Sequence, residues 1–274
     1  MDNAYSFEIF HFDNPTLTTV TTSYLITMVG SKRRESYMRQ LETHRPTRTV
    51  VVVHNKGYRR CRKKGVRSAA QDIWHANQLI ASMCEGREEA VLILEDDVEF
   101  TSHFSEMASE IDKFMEENQN AEIAYALGVQ GFFSVPIDTS HVRILSGGFT
   151  HAVIYSSLSL SRFKETCIPP WGLHDIVIFS KLYTYAPRFV CAVQAYERTE
   201  NAAVWDALCI HHTLYEACDR SPAKHFSLLH QFNCMGGTGV IVLILLGVLV
   251  SLPRTYLDRA IRNVLTSSGH GQCN

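Results

Sequence analysis

The stretch VLILEDDVEF, residues 91–100, decides the fold predicted for this chain because it joins a strand to a cluster of acids. Four aliphatic residues, 91–94, run without alternation into three consecutive carboxylates, Glu95, Asp96 and Asp97. A short, uninterrupted aliphatic run of this kind is typical of a strand buried on both faces of a parallel sheet. The sequence therefore predicts an α/β fold in which a central strand ends in acids.

Acids at the end of a buried strand need a cation, a set of hydrogen-bond donors or solvent in a cleft, because burying an unpaired carboxylate is unfavourable. In open α/β sheets, ligands bind at the carboxyl ends of the strands. Carboxylate oxygens on adjacent or alternate positions suit Mg²⁺ or Mn²⁺, either of which can hold a diphosphate. The alternative is that the acids stabilise the start of a helix predicted near Thr101 and Ser102, although either of those residues can cap a helix alone.

The composition describes a globular protein with one domain and an appendage. The chain has 274 residues, of which 46% are apolar and 20% charged, and the formal net charge is −2. This charge argues against nucleic acid as the main partner. A local exception is the run of six cations in residues 58–67, which is either a solvated loop or a surface for an anionic ligand or headgroup.

The cysteines and the N-terminus bear on the compartment. The eight cysteines include no C-x-x-C pair, which argues against a zinc ribbon or a redox motif and favours a reducing compartment. Residues 1–13 contain no basic segment followed by an apolar one, so no secretory signal is predicted.

Apolar periodicity predicts alternating strands and helices in the first half of the chain and a less regular second half. Strands are predicted at residues 19–28, 47–54, 91–97 and 121–127, and helices at 32–41, 68–84 and 101–118. This alternation is typical of a doubly wound sheet with helices on both faces. The second half is predicted as a loop at 128–140, two strands within 141–155, a helix at 157–166 and a strand at 188–194.

The aliphatic strand ending in LEDD resembles the acidic motif of the family-25 glycosyltransferases, the lipopolysaccharide-type group that includes collagen galactosyltransferases. The resemblance covers about residues 19–194 and includes the order of the flanking elements. It implies the GT-A fold, a Rossmann-type, mostly parallel sheet flanked by helices, whose acidic motif holds a divalent metal and a nucleotide-sugar diphosphate. In one position the chain departs from the family, because Ala69 stands where a histidine is expected.

The resemblance assigns two sets of binding residues. Glu95 and Asp97 are the metal ligands, with Mn²⁺ or Mg²⁺ as the cofactor. The nucleotide sugar is predicted to contact Thr27, Arg33, Asp96, Gly147 and Gly148. A basic side chain beside a helix start makes an anion site, and glycines in a strand let the backbone approach a ligand. The alternatives are a surface arginine and ordinary hairpin glycines.

The segment Trp171-Gly172-Leu173-His174-Asp175 contains the predicted catalytic residues. Asp175 precedes an apolar helix, where a carboxylate is favoured by the helix dipole. In the resembling enzymes an acid at this place faces the acceptor, which makes Asp175, with His174 beside it, the candidate general base. A plain helix cap is the alternative for Asp175. His211 or His212 is a further candidate for a late metal ligand.

Residues 235–252, MGGTGVIVLILLGVLVSL, are uncharged and almost entirely apolar, which predicts a transmembrane helix. A buried core helix is the alternative. The predicted organisation is a polar lead-in (1–18), a transferase domain (19–230), this span, and a short basic tail (253–274). The lack of a signal places the catalytic part in the cytosol, whereas Arg254, Arg259 and Arg262 after the span favour a cytosolic C-terminus. We follow the first argument.

The sequence thus predicts a membrane-associated, single-pass, metal-dependent glycosyltransferase. It would transfer a hexose from a UDP-sugar to the hydroxyl of a glycan, protein or lipid acceptor, with inversion. One alternative is an inactive, membrane-tethered protein that binds a nucleotide sugar or a partner. Another is a metal-dependent phosphohydrolase, although the second half of the chain has few further acids or histidines at predicted strand ends.

Overall fold

The computed structural model describes residues 4–166, 178 and 182–195, which form nine strands and four helices. The strands are β1 (Tyr5–His11), β2 (Thr22–Met28), β3 (Thr49–Asn55), β4 (Val91–Glu95), β5 (Val98–Phe100), β6 (Ile123–Pro136), β7 (His141–Tyr155), β8 (Tyr183–Pro187) and β9 (Ala192–Gln194). The helices are α1 (Arg34–His44), α2 (Ala69–Met83), α3 (Ser102–Glu117) and α4 (Ser157–Glu165).

Seven strands form one mixed sheet in the order β1-β3-β2-β4-β7-β6-β8, and β5 pairs with β9 in a separate ribbon. Parallel pairing joins β3 to β2, β2 to β4, and β6 to β8. The remaining neighbours, β1–β3, β4–β7, β6–β7 and β7–β8, are antiparallel. The predicted α/β class is confirmed, and the sheet is mixed, with its central parallel strands β3, β2 and β4 where the sequence predicted them.

The sheet has helices on both faces, as predicted. Side chains alternate along each strand, so β4 sends Val91 and Ile93 to one face and Leu92 and Leu94 to the other. On the first face they pack with α2 and α4, where Trp74 stacks on Phe163 with ring centroids 4.3 Å apart. On the second face they pack with α1 and α3. Both faces of β4 are therefore buried, which explains its unbroken aliphatic run.

Several segments differ from their predicted form. The strand predicted at 188–194 is present only as β9, and β5 and β8 were not predicted. The polar lead-in contains β1, which pairs with β3 along its whole length. Residues 128–140, predicted as a loop, supply the second half of β6, and residues 141–155 form one strand rather than two. The β6–β7 pairing contains several register shifts, including one beside Gly128 and one beside Gly131. Irregular pairing of this kind accommodates glycines within a strand, so the glycines of β6 and β7 do not end either strand.

Within the described residues, no helix is both long enough and apolar enough to cross a membrane. The predicted span at 235–252 and the basic tail at 253–274 lie outside the described residues. The end of the predicted transferase domain also lies outside them, beyond residue 195.

Candidate acidic site at the carboxyl ends of the parallel strands

Parallel pairing brings the ends of β2 and β4 together. Ile26 of β2 is the register partner of Glu95 of β4, so the next residues, Thr27 and Asp96, lie side by side where the strands end. The hydroxyl Oγ1 of Thr27 donates a 2.6 Å hydrogen bond to Asp96 Oδ2. The end of β2 thus supplies the first contact of the acidic motif.

The turn after β2 supplies two more contacts to Asp96. Gly30 adopts φ +79°, a left-handed conformation that favours glycine, and the turn closes with a hydrogen bond from Ser31 N to Met28 O (2.9 Å). Ser31 Oγ then donates to Asp96 Oδ2 (2.9 Å), and Arg33 Nη1 donates to Asp96 Oδ1 (2.9 Å). Both oxygens of Asp96 are therefore held by donors from one short turn.

Asp97 is the most buried of the three acids, with 4% of its side chain exposed. Its Oδ2 accepts a 2.8 Å hydrogen bond from Gln194 Nε2 and lies 3.4 Å from Arg33 Nη1. Gln194 reaches this position because β9 pairs with β5, with Val98 opposite Gln194. Asp97 Oδ1 is buried and accepts no hydrogen bond from the part of the chain that the structure describes.

The charges of the two aspartates are coupled through one guanidinium, because Arg33 Nη1 contacts both carboxylates. Burial raises the pKa of the Asp97 carboxyl above its ordinary value, while the positive charge of Arg33 and the hydrogen bond from Gln194 oppose that rise. We call Asp96 and Asp97, with their four partners Thr27, Ser31, Arg33 and Gln194, the acidic cluster. It is a preformed, largely buried group with a single orphaned carboxylate oxygen.

Glu95 lies on the other side of the sheet from Asp96. It lines a small pocket together with Ile93 of its own strand, Asn77 of α2, and His151 and Tyr155 of β7. Ile93 and Tyr155 belong to the core on the α2 side, whereas Thr27 and Arg33 approach Asp96 from the α1 side. The role of Glu95 as a metal ligand stays a prediction. Asp96 is the acid that shares the Arg33 guanidinium with Asp97.

His151 connects the two sides. It is 5% exposed, lines the Glu95 pocket, and its charge lowers the pKa of Asp97. A Cβ atom added to Gly128 would lie 2.1 Å from His151 Nε2 and 2.6 Å from Ala192 O, so glycine leaves the room that the imidazole occupies. Gly128 therefore has a packing role against His151.

The predicted site residues are placed as follows. Thr27, Arg33, Asp96 and Asp97 are brought together in the acidic cluster. Gly147 and Gly148 lie on β7 opposite Gly131 and Gln130, on the part of β7 that extends beyond the pairing of Leu94 with Ala152. Asp175, His174, His211 and His212 lie outside the described residues.

Sequence reasoning missed Ser31, Gln194 and His151 as members of this region. Ser31 could have been found from its place in the turn between a strand end and Arg33. A strand ending in Gln194 was predicted, but no local signal marks the contact of Gln194 with Asp97, which is 97 residues away in sequence. His151 lies among apolar residues of β7, a pattern that also fits a histidine with an ordinary structural role.

The donor atoms present fit a hard divalent cation shared with a substrate. Mg²⁺ is usually held by one or two carboxylates together with substrate phosphates, and Asp96 and Asp97 supply two carboxylates with one orphaned buried oxygen. Across residues 4–166, 178 and 182–195, no group of three or more histidine, cysteine or acidic side chains is arranged to hold a metal ion. These residues therefore suit an ion that is completed by a diphosphate.

The sequence matches no protein-family model, and a search of curated proteins finds no significant similarity. The resemblance to the family-25 glycosyltransferases therefore rests on the motif residues and the order of the elements.

Proposed function

We propose that the protein is a glycosyltransferase that binds a nucleotide sugar at the acidic cluster and transfers the hexose to an acceptor hydroxyl. The observation that carries this proposal is the orphaned, buried Oδ1 of Asp97, next to Asp96 and Arg33 at the carboxyl end of a parallel strand. Ligands of open α/β folds bind at this edge of the sheet. A donor with a diphosphate and a divalent cation would supply the positive charge that this oxygen lacks.

Arg33 and the two aspartates have complementary roles in this proposal. Asp96, held by Thr27 and Ser31, fixes the position of the Arg33 guanidinium. An arginine fork suits phosphate oxygens, so Arg33 is in place to contact the diphosphate. Asp97 is held by Gln194 and presents Oδ1 as the oxygen for a cation. A bound Mn²⁺ or Mg²⁺ would neutralise the charge that develops on the diphosphate leaving group.

The acceptor side of the proposal rests on the sequence resemblance. Asp175, with His174 beside it, is the proposed general base that takes the proton from the acceptor hydroxyl in an inverting transfer. A UDP-sugar is the proposed donor, and the acceptor is a glycan, protein or lipid. Membrane attachment through residues 235–252 is part of the same proposal.

The test uses donor binding and donor hydrolysis by the full chain. Titration calorimetry with UDP, in the presence and absence of Mn²⁺, is followed by a UDP-release assay with a panel of UDP-sugars. Asp97→Asn removes the negative charge of the Asp97 side chain. The matched control Glu88→Gln removes an exposed negative charge just before β4, at the opposite end of the same strand. We expect UDP release from wild type and from the control, with at least about a hundred-fold loss in Asp97→Asn. Equal rates in all three proteins would refute the proposed site.

One observation favours a second candidate, a protein that binds the nucleotide sugar without turnover. Arg33 contacts both aspartates and places a cation in the acidic cluster, so the protein itself can meet part of the diphosphate charge without a metal ion. UDP binding that is independent of Mn²⁺, with no UDP release from any donor, would favour this candidate over the transferase.

A further inference from the structure

The loop between β3 and α2 carries a dense group of exposed cations. The exposed members are Arg59, Arg60, Arg62, Lys64 and Arg67. No acidic residue occurs between Lys56 and Gln71, and the formal charge of the whole chain is −2. The positive charge is therefore a property of this loop, which we call the basic loop (residues 56–67), rather than of the protein.

A sixth cation of the same loop points inward and anchors it. The side chain of Lys63 is 2% exposed, and its ammonium is held by the carboxylate of Asp72 and the side-chain oxygen of Asn55. Asp72 also accepts a 2.8 Å hydrogen bond from Tyr58 N, and Asn55 accepts one from Gly57 N (2.8 Å). The loop is thus fixed to the end of β3 and the start of α2, which keeps its other cations on the surface.

Three of the exposed cations have no described carboxylate beside them. Arg62, Lys64 and Arg67 have no acidic partner among the residues that the structure describes, although the protein forms such pairs elsewhere, as between Arg162 and Glu122 (2.8 Å). A group of like charges left uncompensated repels itself unless an external anion balances it. The arrangement therefore points to a partner with many negative charges.

We propose that the basic loop docks on an anionic phospholipid surface. The exposed cations are spread along residues 59–67, which suits the distributed charges of a lipid surface better than one small anion. Juxtamembrane clusters of Lys and Arg bind anionic lipids in this way. The chain also contains residues 235–252, an uncharged apolar stretch long enough for a bilayer span. A chain tethered at that stretch would hold the loop at high effective concentration near the headgroups.

Single-stranded nucleic acid fits the loop less well, because such partners need exposed aromatic faces on which bases stack. Tyr58 is the one aromatic residue of the loop, and the guanidinium of Arg59 lies over its ring, 5.6 Å from the centroid. Docking on lipid shares the membrane attachment at residues 235–252 with the proposed function, but it does not depend on transferase activity, since the basic loop shares no residue with the acidic cluster. Arg60 does place the loop beside the turn after β2, through a hydrogen bond to Val29 O (3.1 Å).

The test compares three forms of the full chain in a vesicle flotation assay. The loop variant carries Arg62→Gln, Lys64→Gln and Arg67→Gln. The control variant carries Arg39→Gln, Arg48→Gln and Lys113→Gln, which removes the same charge from exposed positions outside the loop. Vesicles consist of phosphatidylcholine alone or with added phosphatidylserine, and the apolar stretch and the arginines after it are common to all three proteins.

We expect wild type and the control variant to bind vesicles with phosphatidylserine more tightly than vesicles of phosphatidylcholine alone, and this preference should weaken at high salt. The loop variant should lose roughly a hundred-fold of that preference, since three surface cations are removed. A second variant, Arg62→Lys with Arg67→Lys, should retain it, because point charges suffice at a lipid surface. The proposal is overturned if the loop variant keeps the wild-type preference. It is also overturned if the loop variant loses binding to a single-stranded oligonucleotide while its lipid binding is unchanged.

Discussion

Replacing Arg33 with glutamine tests the central feature of the acidic cluster, the compensation of two buried carboxylates by one guanidinium. The substitution keeps a polar side chain but removes the charge that lies 2.9 Å from Asp96 Oδ1 and 3.4 Å from Asp97 Oδ2. Its neighbour offers a matched control. Arg34 pairs with Glu8 at 2.8 Å, but the two side chains are 50% and 36% exposed.

The expected effects of the two substitutions differ because burial differs. Removing one partner of a buried ion pair costs about 3–5 kcal/mol, since the other charge is left uncompensated. Arg33 is 14% exposed and Asp96 keeps its two hydroxyl donors, so we expect Arg33→Gln to lower the free energy of unfolding by about 3 kcal/mol. An exposed pair contributes about 1 kcal/mol or less, so Arg34→Gln should lie below that value.

Urea unfolding of the full chain measures both variants. Tryptophan fluorescence is a suitable signal, because Trp74 is buried against Phe163 in the core. If Arg33→Gln costs no more than Arg34→Gln, the buried aspartates do not depend on the guanidinium and the reasoning is refuted. Titration with Mn²⁺ followed by electron paramagnetic resonance gives a second readout. Loss of the Arg33 charge should tighten Mn²⁺ binding at least about ten-fold. Unchanged binding would show that Arg33 does not act on the proposed metal position.

Three further substitutions test other parts of the fold. Lys63→Met should lower the free energy of unfolding by about 3–5 kcal/mol, because Asp72 stays buried without its cation, and a double variant with Asp72→Leu should recover much of the loss; chemical denaturation measures both. Gly128→Ala should cost about 1–3 kcal/mol, because the added Cβ would overlap His151, and a melting temperature equal to that of wild type would contradict the packing. Burial and the nearby Lys63 ammonium lower the pKa of His75 below 6.5, so the unfolded chain takes up the proton first as the pH falls. Denaturation at several pH values should therefore show wild type losing stability relative to His75→Gln below about pH 6.5. A difference in stability that does not change with pH would refute this sign.

The elements of the first half of the chain were predictable because their signals are local. Aliphatic runs marked β3 and β4 to within a few residues, since a strand buried on both faces has no alternation, and β-branched residues marked β2. A helix was predicted from residue 68, and the side chain of Ser68 caps α2 by accepting a 3.2 Å hydrogen bond from Gln71 N. The acids were not needed to cap α3, because Asp96 and Asp97 are engaged by Arg33 and β5 lies between them and the helix.

The partly polar, glycine-containing segments could not be placed from sequence. β1 begins as an alternating strand, but a short edge strand with polar residues resembles a lead-in until β3 is seen to pair with it. Strand β6 contains Gly128 and Gly131, which predicted a loop, yet β7 supplies the hydrogen-bonding partner that keeps the segment extended. In both cases a non-local partner outweighs the local preference.

The sequence by itself determined that three acids follow a buried strand, that helices cover both faces of the sheet, and that a basic segment follows β3. Only the tertiary structure decided which groups those charges contact. Thr27 and Arg33 reach Asp96 from 69 and 63 residues away, and Gln194 reaches Asp97 from 97 residues away. The tertiary structure also places the Lys63 side chain inward, against Asp72, while neighbouring cations are exposed. The physical reason is that strand formation depends on neighbouring residues, whereas compensation of a buried charge depends on whichever distant groups the sheet pairing brings within hydrogen-bonding distance.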